Sequence, residues 1–174
     1  DSISLQTPFD LGITMEDDGA LADEIVDLAA GHPNIVQYIC QKLIERINLR
    51  RDRHIRRADL QAVSQSTQFA EYFAEVSWGH ANALERLITL LMLDQSEITL
   101  TELAEQLRTR NLPVTPAQLQ NALDDLCLYS ILRRDGPKYT YGAKAFPEVL
   151  RRSQDISGLL LSFSDEIQSN PGAD

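Results

Sequence analysis

The chain has 174 residues, of which 43% are hydrophobic, and a formal net charge of −10. This length allows one large or two small domains, and this composition excludes a chain that is disordered throughout. The negative charge argues against general nucleic-acid binding, which depends on neutralising phosphates, and no apolar run approaches the roughly 20 residues of a membrane-spanning helix.

The first 18 residues show no helical period, and they predict an extended lead-in over residues 1–18. They lack a charged start followed by an apolar block, so no signal peptide is predicted. The first residue is Asp1 rather than Met, and we expect that the chain was cut from a longer protein. The two cysteines, Cys40 and Cys127, lie in apolar helical patterns and are interpreted as small buried hydrophobes, which favours a reducing cytoplasm.

Four helices are predicted next. The first covers about residues 20–30 and is followed by Gly31, and Pro33 begins the second at a position where a missing N–H costs nothing. Two shorter helices follow, over residues 58–66 and around residues 69–76. The second helix carries the strongest pattern in the chain, two adjacent apolar rows that together form a broad stripe. These rows are Ile35, Ile39, Leu43 and Ile47, and Val36, Cys40 and Ile44.

The following stretch predicts a helix over about residues 81–93, an extended piece at Ile98, and two helices that each begin with a capping box. Two short alternating runs around an Asp-Gly pair then predict a β-hairpin. Helices followed by a hairpin are typical of a winged helix, in which the second and third helices form the helix-turn-helix and the hairpin is the wing. The capping and turn residues are Thr99 with Glu102, Thr115 with Gln118, and Asp135 with Gly136.

The predicted fold is therefore mainly α, with one small β-hairpin. A small helical-bundle domain covers residues 19–77, and a winged-helix domain covers residues 78–153. Residues 154–174 form a C-terminal helix and a tail.

The stretch LADEIVDLAAGHPNIVQYICQKLIERIN, followed by a short helix and a winged helix, resembles the helical lid of AAA+-like ATPases. More narrowly, it is similar to the signal-transduction ATPases called STAND proteins. Their lid carries a Gly-x-Pro motif, matched here by Gly31, His32 and Pro33, and a winged helix follows it directly. The related replication-initiation ATPases have a phosphate-sensing arginine three residues after that glycine. Asn34 occupies the position here, which favours the STAND family.

The resemblance covers about residues 10–153 and implies a nucleotide-binding role for Gly31, His32 and Pro33, with the proline against the base. In such a switch the lid closes over ATP or ADP, and the winged helix holds the inactive arrangement by intramolecular or protein–protein contacts. A tight turn between two helices would have the same composition, so a purely structural role for the motif stays open.

No catalytic centre is predicted in the chain itself. It contains no G-x-x-x-x-G-K-[ST] phosphate loop, so the resemblance places ATP hydrolysis, with its Mg²⁺, in an upstream ATPase domain of the parent protein. That domain is the first expected partner, and a further protein is the second. The three histidines have no metal-ligand spacing and neither cysteine lies in a C-x-x-C pair, so neither a zinc site nor a Cys-His nucleophile is predicted.

One segment is strongly basic, and it has two interpretations. It could bind an anion or an acidic partner, or it could be a solvated loop whose arginines pair with acidic residues of nearby helices. The predicted contact patch consists of Arg50, Arg51, Arg53, Arg56 and Arg57.

The alternative function is a DNA-binding winged-helix transcription regulator, and a pure scaffold is a third possibility. The predicted recognition helix, PAQLQNALDDLCL, argues against DNA because it carries Asp124 and Asp125 but no Lys or Arg. The preferred interpretation is a regulatory fragment that uses its winged helix for protein contacts.

Overall fold

The computed structural model describes residues 12–171, so residues 1–11 of the predicted lead-in lie outside the described residues. Within residues 12–171 the protein is mainly helical, as predicted, with nine helices and five short strands. The chain divides into two compact units, Asp1–Phe69 (unit 1) and Ala70–Asp174 (unit 2). None of the helices in the described range is long and apolar enough to cross a membrane.

Unit 1 contains a minimal parallel sheet that the sequence did not predict. Thr14 pairs with His54 and Met15 with Ile55, and the Thr14 hydroxyl lies 2.9 Å from Nδ1 of His54. Strands of two residues are too short to show an alternating pattern, which explains why they were missed. The elements in chain order are β1 (Thr14–Met15), α1 (Asp18–Leu28), α2 (Pro33–Leu49), β2 (His54–Ile55), α3 (Arg57–Ser64) and α4 (Thr67–Trp78), which crosses into unit 2 after Phe69.

The core of unit 1 is built on one face of α2. One predicted row of this helix is at most 1% exposed at every position, and α1 packs Leu21 and Ile25 into the same core. The neighbouring row was predicted to belong to the same broad apolar stripe, but Cys40 is half-buried and Ile44 is 37% exposed. The buried stripe is therefore narrower than the sequence pattern. The buried row is Ile35, Ile39, Leu43 and Ile47.

Unit 2 contains the predicted elements with ends shifted by a few residues. Both predicted capping boxes form: the Thr99 N–H donates to Glu102 at 2.8 Å, and the Thr115 N–H donates to Gln118 at 3.0 Å. After α4 the elements are α5 (Ala83–Leu91), β3 (Glu97–Thr99), α6 (Leu100–Thr109), α7 (Pro116–Leu128), β4 (Leu132–Asp135), β5 (Lys138–Tyr141), α8 (Phe146–Ser153) and α9 (Ile156–Ser169).

The predicted hairpin forms, and a third strand pairs with it. Strands β4 and β5 pair antiparallel on either side of the Asp-Gly turn, with Gly136 at a φ of 60°. Strand β3 pairs with the other edge of β5, so the sheet order is β3-β5-β4. The chain leaves the sheet at Gly142, whose N–H donates to the carbonyl of Ile131 at 2.8 Å. This connection presses Gly142 against the backbone at Ser130, because a Cβ on Gly142 would lie 2.2 Å from the Ser130 carbonyl oxygen.

Candidate functional site

The predicted motif at residues 31–33 lies in the turn that joins α1 to α2. The N–H of Gly31 donates to the carbonyl of Val26 at 2.9 Å, and the N–H of Ala30 donates to Asp27 at 3.1 Å. This pair of bonds caps the last carbonyl groups of α1 and leaves both Ala30 and Gly31 at positive φ, 50° and 71°. The sequence assigned this turn to the glycine alone, but the left-handed conformation begins one residue earlier, at an alanine.

Pro33 is the first residue of α2, as predicted, and it is exposed. His32 precedes it in an extended conformation and makes no side-chain capping bond, and its carbonyl accepts the N–H groups of Ile35 and Val36 at 3.1 and 3.0 Å. Within residues 12–171, Nδ1 of His32 is buried without a hydrogen-bond partner. The motif therefore presents a rigid apolar ring at a helix N-terminus, a surface suited to a flat apolar group.

The predicted basic patch lies at the other end of α2, and three of its five arginines are ion-paired within unit 1. Arg50 pairs with Asp59, and Arg56 pairs with Asp52 at 3.1 Å. Arg57 pairs with Glu24 of α1 at 3.1 Å. These contacts support the structural interpretation of the segment. In this interpretation the arginines form ion pairs that attach the link between α2 and α3 to acidic residues of unit 1. The other two, Arg51 and Arg53, have no ion pair within residues 12–171.

The centre of this network is Asp59, which is only 1% exposed. Its carboxylate accepts from the Arg50 guanidinium and, at 2.9 Å, from the backbone N–H of Arg56. Nε of Arg46 lies 3.5 Å away. Burial raises the pKa of Asp59, but these hydrogen bonds and the charge of Arg50 outweigh it, so the pKa lies below its usual range. Asp59 is therefore ionised and paired in the folded protein.

The two predicted sites are too far apart to bind one small ligand. They lie at opposite ends of α2, whose 17 residues span about 25 Å at 1.5 Å per residue. A nucleotide whose base lies on Pro33 would not reach the arginines that follow Leu49. The basic patch and the Gly-His-Pro motif therefore need separate explanations.

Sequence reasoning missed a third site, a cleft of about 470 Å³ in unit 2 at the N-terminus of α5. Its lining comes from α5, the link between α6 and α7, α7 itself and the C-terminal end of α9. Three carboxyl side chains contribute to it, those of Glu85, Asp125 and Glu166, and no lysine, arginine or histidine is among its described lining residues.

Glu85 is the most buried of these carboxyl groups, with 3% exposure. It forms a capping box with Asn82, whose N–H and side-chain amide donate to Glu85 at 2.9 and 3.1 Å. Burial raises the pKa of Glu85, and the charge of Asp125 and a hydrogen bond to it raise this pKa further, against the lowering effect of the Asn82 N–H. The Asn-x-x-Glu spacing could have revealed the cap, but nothing in the sequence links Glu85 to Asp125.

Besides the carboxyl groups of the cleft, the side chains that could ligate a metal and the two cysteines are further groups of the described residues able to bind or react. Within residues 12–171, no group of three or more His, Cys, Asp and Glu side chains could hold a metal ion. The cysteines were predicted to be buried, but both Cys40 and Cys127 are half-buried free thiols, and partial burial raises the pKa of each above its usual value.

No protein-family model, no curated protein and no solved structure matches this chain.

Proposed function

We propose that this chain is the lid and winged-helix portion of a cytoplasmic STAND-type ATPase switch. The observation that carries the proposal is the placement of Pro33, an exposed proline that begins α2 directly after a turn with two consecutive residues at positive φ. In this proposal the Pro33 ring packs against the base of ATP or ADP, and the rigid turn holds the ring in place.

The described residues suit contact with a base, but they do not suit phosphate or Mg²⁺ binding. The arginine segment is about 25 Å from Pro33 along α2, and three of its members are already paired. In the proposal, an upstream domain of the parent protein holds the phosphates and Mg²⁺ and supplies the ATPase activity. This chain then contributes a lid rather than a catalytic group.

Unit 2 suits the winged-helix part of the proposal. The order α5, β3, α6, α7, β4, β5 and the sheet order β3-β5-β4 are compatible with the helix-turn-helix and wing that we propose for this unit. The exposed face of α7 carries Asp124 and a 76% exposed Leu128 but no basic residue. Such a face favours contact with protein, either the upstream ATPase domain or a separate partner.

The first test replaces Pro33 with alanine in the parent protein. We expect ADP affinity to fall several-fold, because one apolar ring contact contributes about 1 kcal/mol. The helix itself should tolerate the change, since alanine is the best helix former. ADP affinity by calorimetry and the melting temperature are measured together on the same protein.

The matched control is Pro116→Ala. Pro116 is also an exposed proline that begins a helix, α7, so this change repeats the effect on a helix start without touching the motif. ADP affinity should be unchanged in this variant. Equal ADP affinities for Pro33→Ala, Pro116→Ala and the unmodified protein, with all three folded, would contradict the lid proposal.

The second test addresses the alternative, a DNA-binding winged-helix regulator. We expect only weak association with duplex DNA near physiological salt, because the exposed face of α7 carries Asp124 and no cation to neutralise phosphates. Fluorescence anisotropy over a salt series measures this. Submicromolar binding that weakens steeply with salt would favour the DNA-binding alternative over the lid proposal.

A further inference from the structure

The cleft at the N-terminus of α5 is lined partly by apolar and partly by polar side chains. Helices α7 and α9 both pack against α5, and the cleft lies where these three helices meet the link between α6 and α7. Its volume of about 470 Å³ is within the range of about 300–1,000 Å³ that is typical of ligand sites. It is therefore large enough for a short peptide segment. The apolar lining includes Leu84, Pro113, Val114 and Ile167.

The polar part of the lining supplies hydrogen-bond acceptors that are not matched by cations. Asp125 and Glu166 form no ion pair within residues 12–171. The C-terminal end of α9 adds to the negative potential, because its last turn carries no basic residue. Pro171 follows this helix and has no N–H to donate to the carbonyl of Ile167, the acceptor one turn earlier. The cleft therefore favours a ligand that brings a cation and N–H donors.

The N-terminus of α5 does not offset this negative charge, because its first turn is already capped. Glu85 accepts the Asn82 N–H and carboxamide at 2.9 and 3.1 Å, and the Asn82 carboxamide oxygen accepts the Glu85 N–H at 2.9 Å. Arg86 is the next residue of α5, and its charge lowers the pKa of Glu85. Its side chain is not part of the described lining, however, and its guanidinium donates to the Trp78 carbonyl at 2.9 Å.

Two carboxamide groups of the lining are available to a ligand. Asn121 of α7 and Asn170 at the end of α9 are both exposed, and neither side chain forms a hydrogen bond with another residue in the range 12–171. A carboxamide offers both donors and acceptors, so it matches the C=O and N–H groups of a peptide backbone. These groups favour a peptide over a simple amine.

We propose that this cleft binds a short basic segment of a partner protein, in which an arginine or lysine is flanked by apolar residues. The cation is attracted to the carboxylates of Asp125 and Glu166, and the flanking residues cover apolar lining such as Val114 and Ile167. The formal net charge of −10 on the chain also attracts such a segment from solution. The inference goes beyond the proposed lid function and does not depend on Pro33.

The test is an NMR titration of the whole isotope-labelled chain at low ionic strength. The probe is the tripeptide leucine-arginine-leucine with blocked ends, and the comparison peptide carries glutamate in place of arginine. We expect the arginine peptide to bind at least about ten-fold more tightly, because the exchange replaces an attraction with a repulsion. Equal affinity for the two peptides, or no binding of either, would overturn the proposal.

Variants of the cleft locate the binding. Asp125→Asn and Glu166→Gln should each weaken binding of the arginine peptide by about three- to five-fold, the effect of one partly exposed ion pair. Asp124→Asn is the matched control, because it removes the same charge from the neighbouring position of α7, and Asp124 does not line the cleft. If all three variants weaken binding equally, the peptide responds to overall charge and the cleft is not its site. Glu166 is exposed, so Glu166→Gln serves as the test if Asp125→Asn does not fold.

Two further measurements distinguish other occupants of the cleft. Butylguanidine carries the cation without a peptide backbone or flanking side chains, and it should bind at least about ten-fold more weakly than the arginine peptide. Equal affinity would make the cleft a site for simple cations rather than for a peptide. Sedimentation of the chain alone should show no self-association that Glu166→Gln removes. Such self-association would place a second copy of the chain in the cleft and contradict the proposal.

Discussion

Replacing Asp59 with alanine should lower the free energy of unfolding of unit 1 by about 2–3 kcal/mol. The change removes a buried carboxylate, leaves the Arg56 N–H without its acceptor and leaves Arg50 without its main partner. The figure lies below the range for fully buried pairs because the Arg50 side chain is 35% exposed. Urea unfolding followed by circular dichroism measures the change.

Glu24→Ala is the matched control for Asp59→Ala. It removes the Arg57–Glu24 ion pair, in which both side chains are nearly half exposed, and should cost less than about 1 kcal/mol. The two variants should also differ in acid. The stability contributed by Asp59 is present above the usual carboxyl pKa and is lost as pH falls through the lowered pKa of the folded state. Equal losses in the two variants would show that Asp59 is not the centre of the network.

The second large effect is expected at Gly142. A Cβ there would lie 2.2 Å from the carbonyl oxygen of Ser130, far inside van der Waals contact. The obstacle is backbone rather than the end of a flexible side chain, so the connection after β5 must move as a whole. Gly142→Ala should therefore destabilise unit 2 by at least about 3 kcal/mol, the upper range for overpacking. The measurement is the urea midpoint of unit 2, followed by the fluorescence of Trp78.

Gly136→Ala is the control that distinguishes the cost of steric crowding from the cost of an unfavourable backbone conformation. Gly136 has a positive φ of 60°, but a Cβ there would meet nothing within 4 Å. Its replacement should cost only about 1 kcal/mol, the penalty of the left-handed conformation. If Gly142→Ala is no worse than Gly136→Ala, then the chain relaxes around the new methyl group and crowding is not the reason for glycine at residue 142.

The sequence predicted well those elements whose first residues are fixed by interactions between residues close together in the chain. Thr99 with Glu102, and Thr115 with Gln118, form their bonds within one helical turn, so a pattern of four residues determines them. The hairpin depends on the turn at Gly136 in the same local way. The position of Pro33 at the start of α2 also followed from local geometry alone.

The features that the sequence did not reveal depend on residues far apart in the chain. Glu85 and Asp125 line one cleft from two different helices, and in the sequence either residue alone looks like an ordinary surface carboxyl group. The pairing of β1 with β2 joins segments 40 residues apart. The arginine segment showed its charge in the sequence, but its pairing with the buried Asp59 required the packing of α3 against α2.

The pairing of β1 with β2 has a consequence for the order in which unit 1 folds during synthesis. Thr14 leaves the ribosome 40 residues before its partner His54. At a synthesis rate of about 5–20 residues per second, β2 emerges about 2–8 s after β1. Helices α1 and α2 emerge during this interval. Helices α1 and α2 can therefore form first, and the parallel pair can close once β2 has emerged, ahead of α3. Unit 1 thus becomes complete only after β2 has been translated, and a stalled nascent chain ending before His54 would expose β1 unpaired.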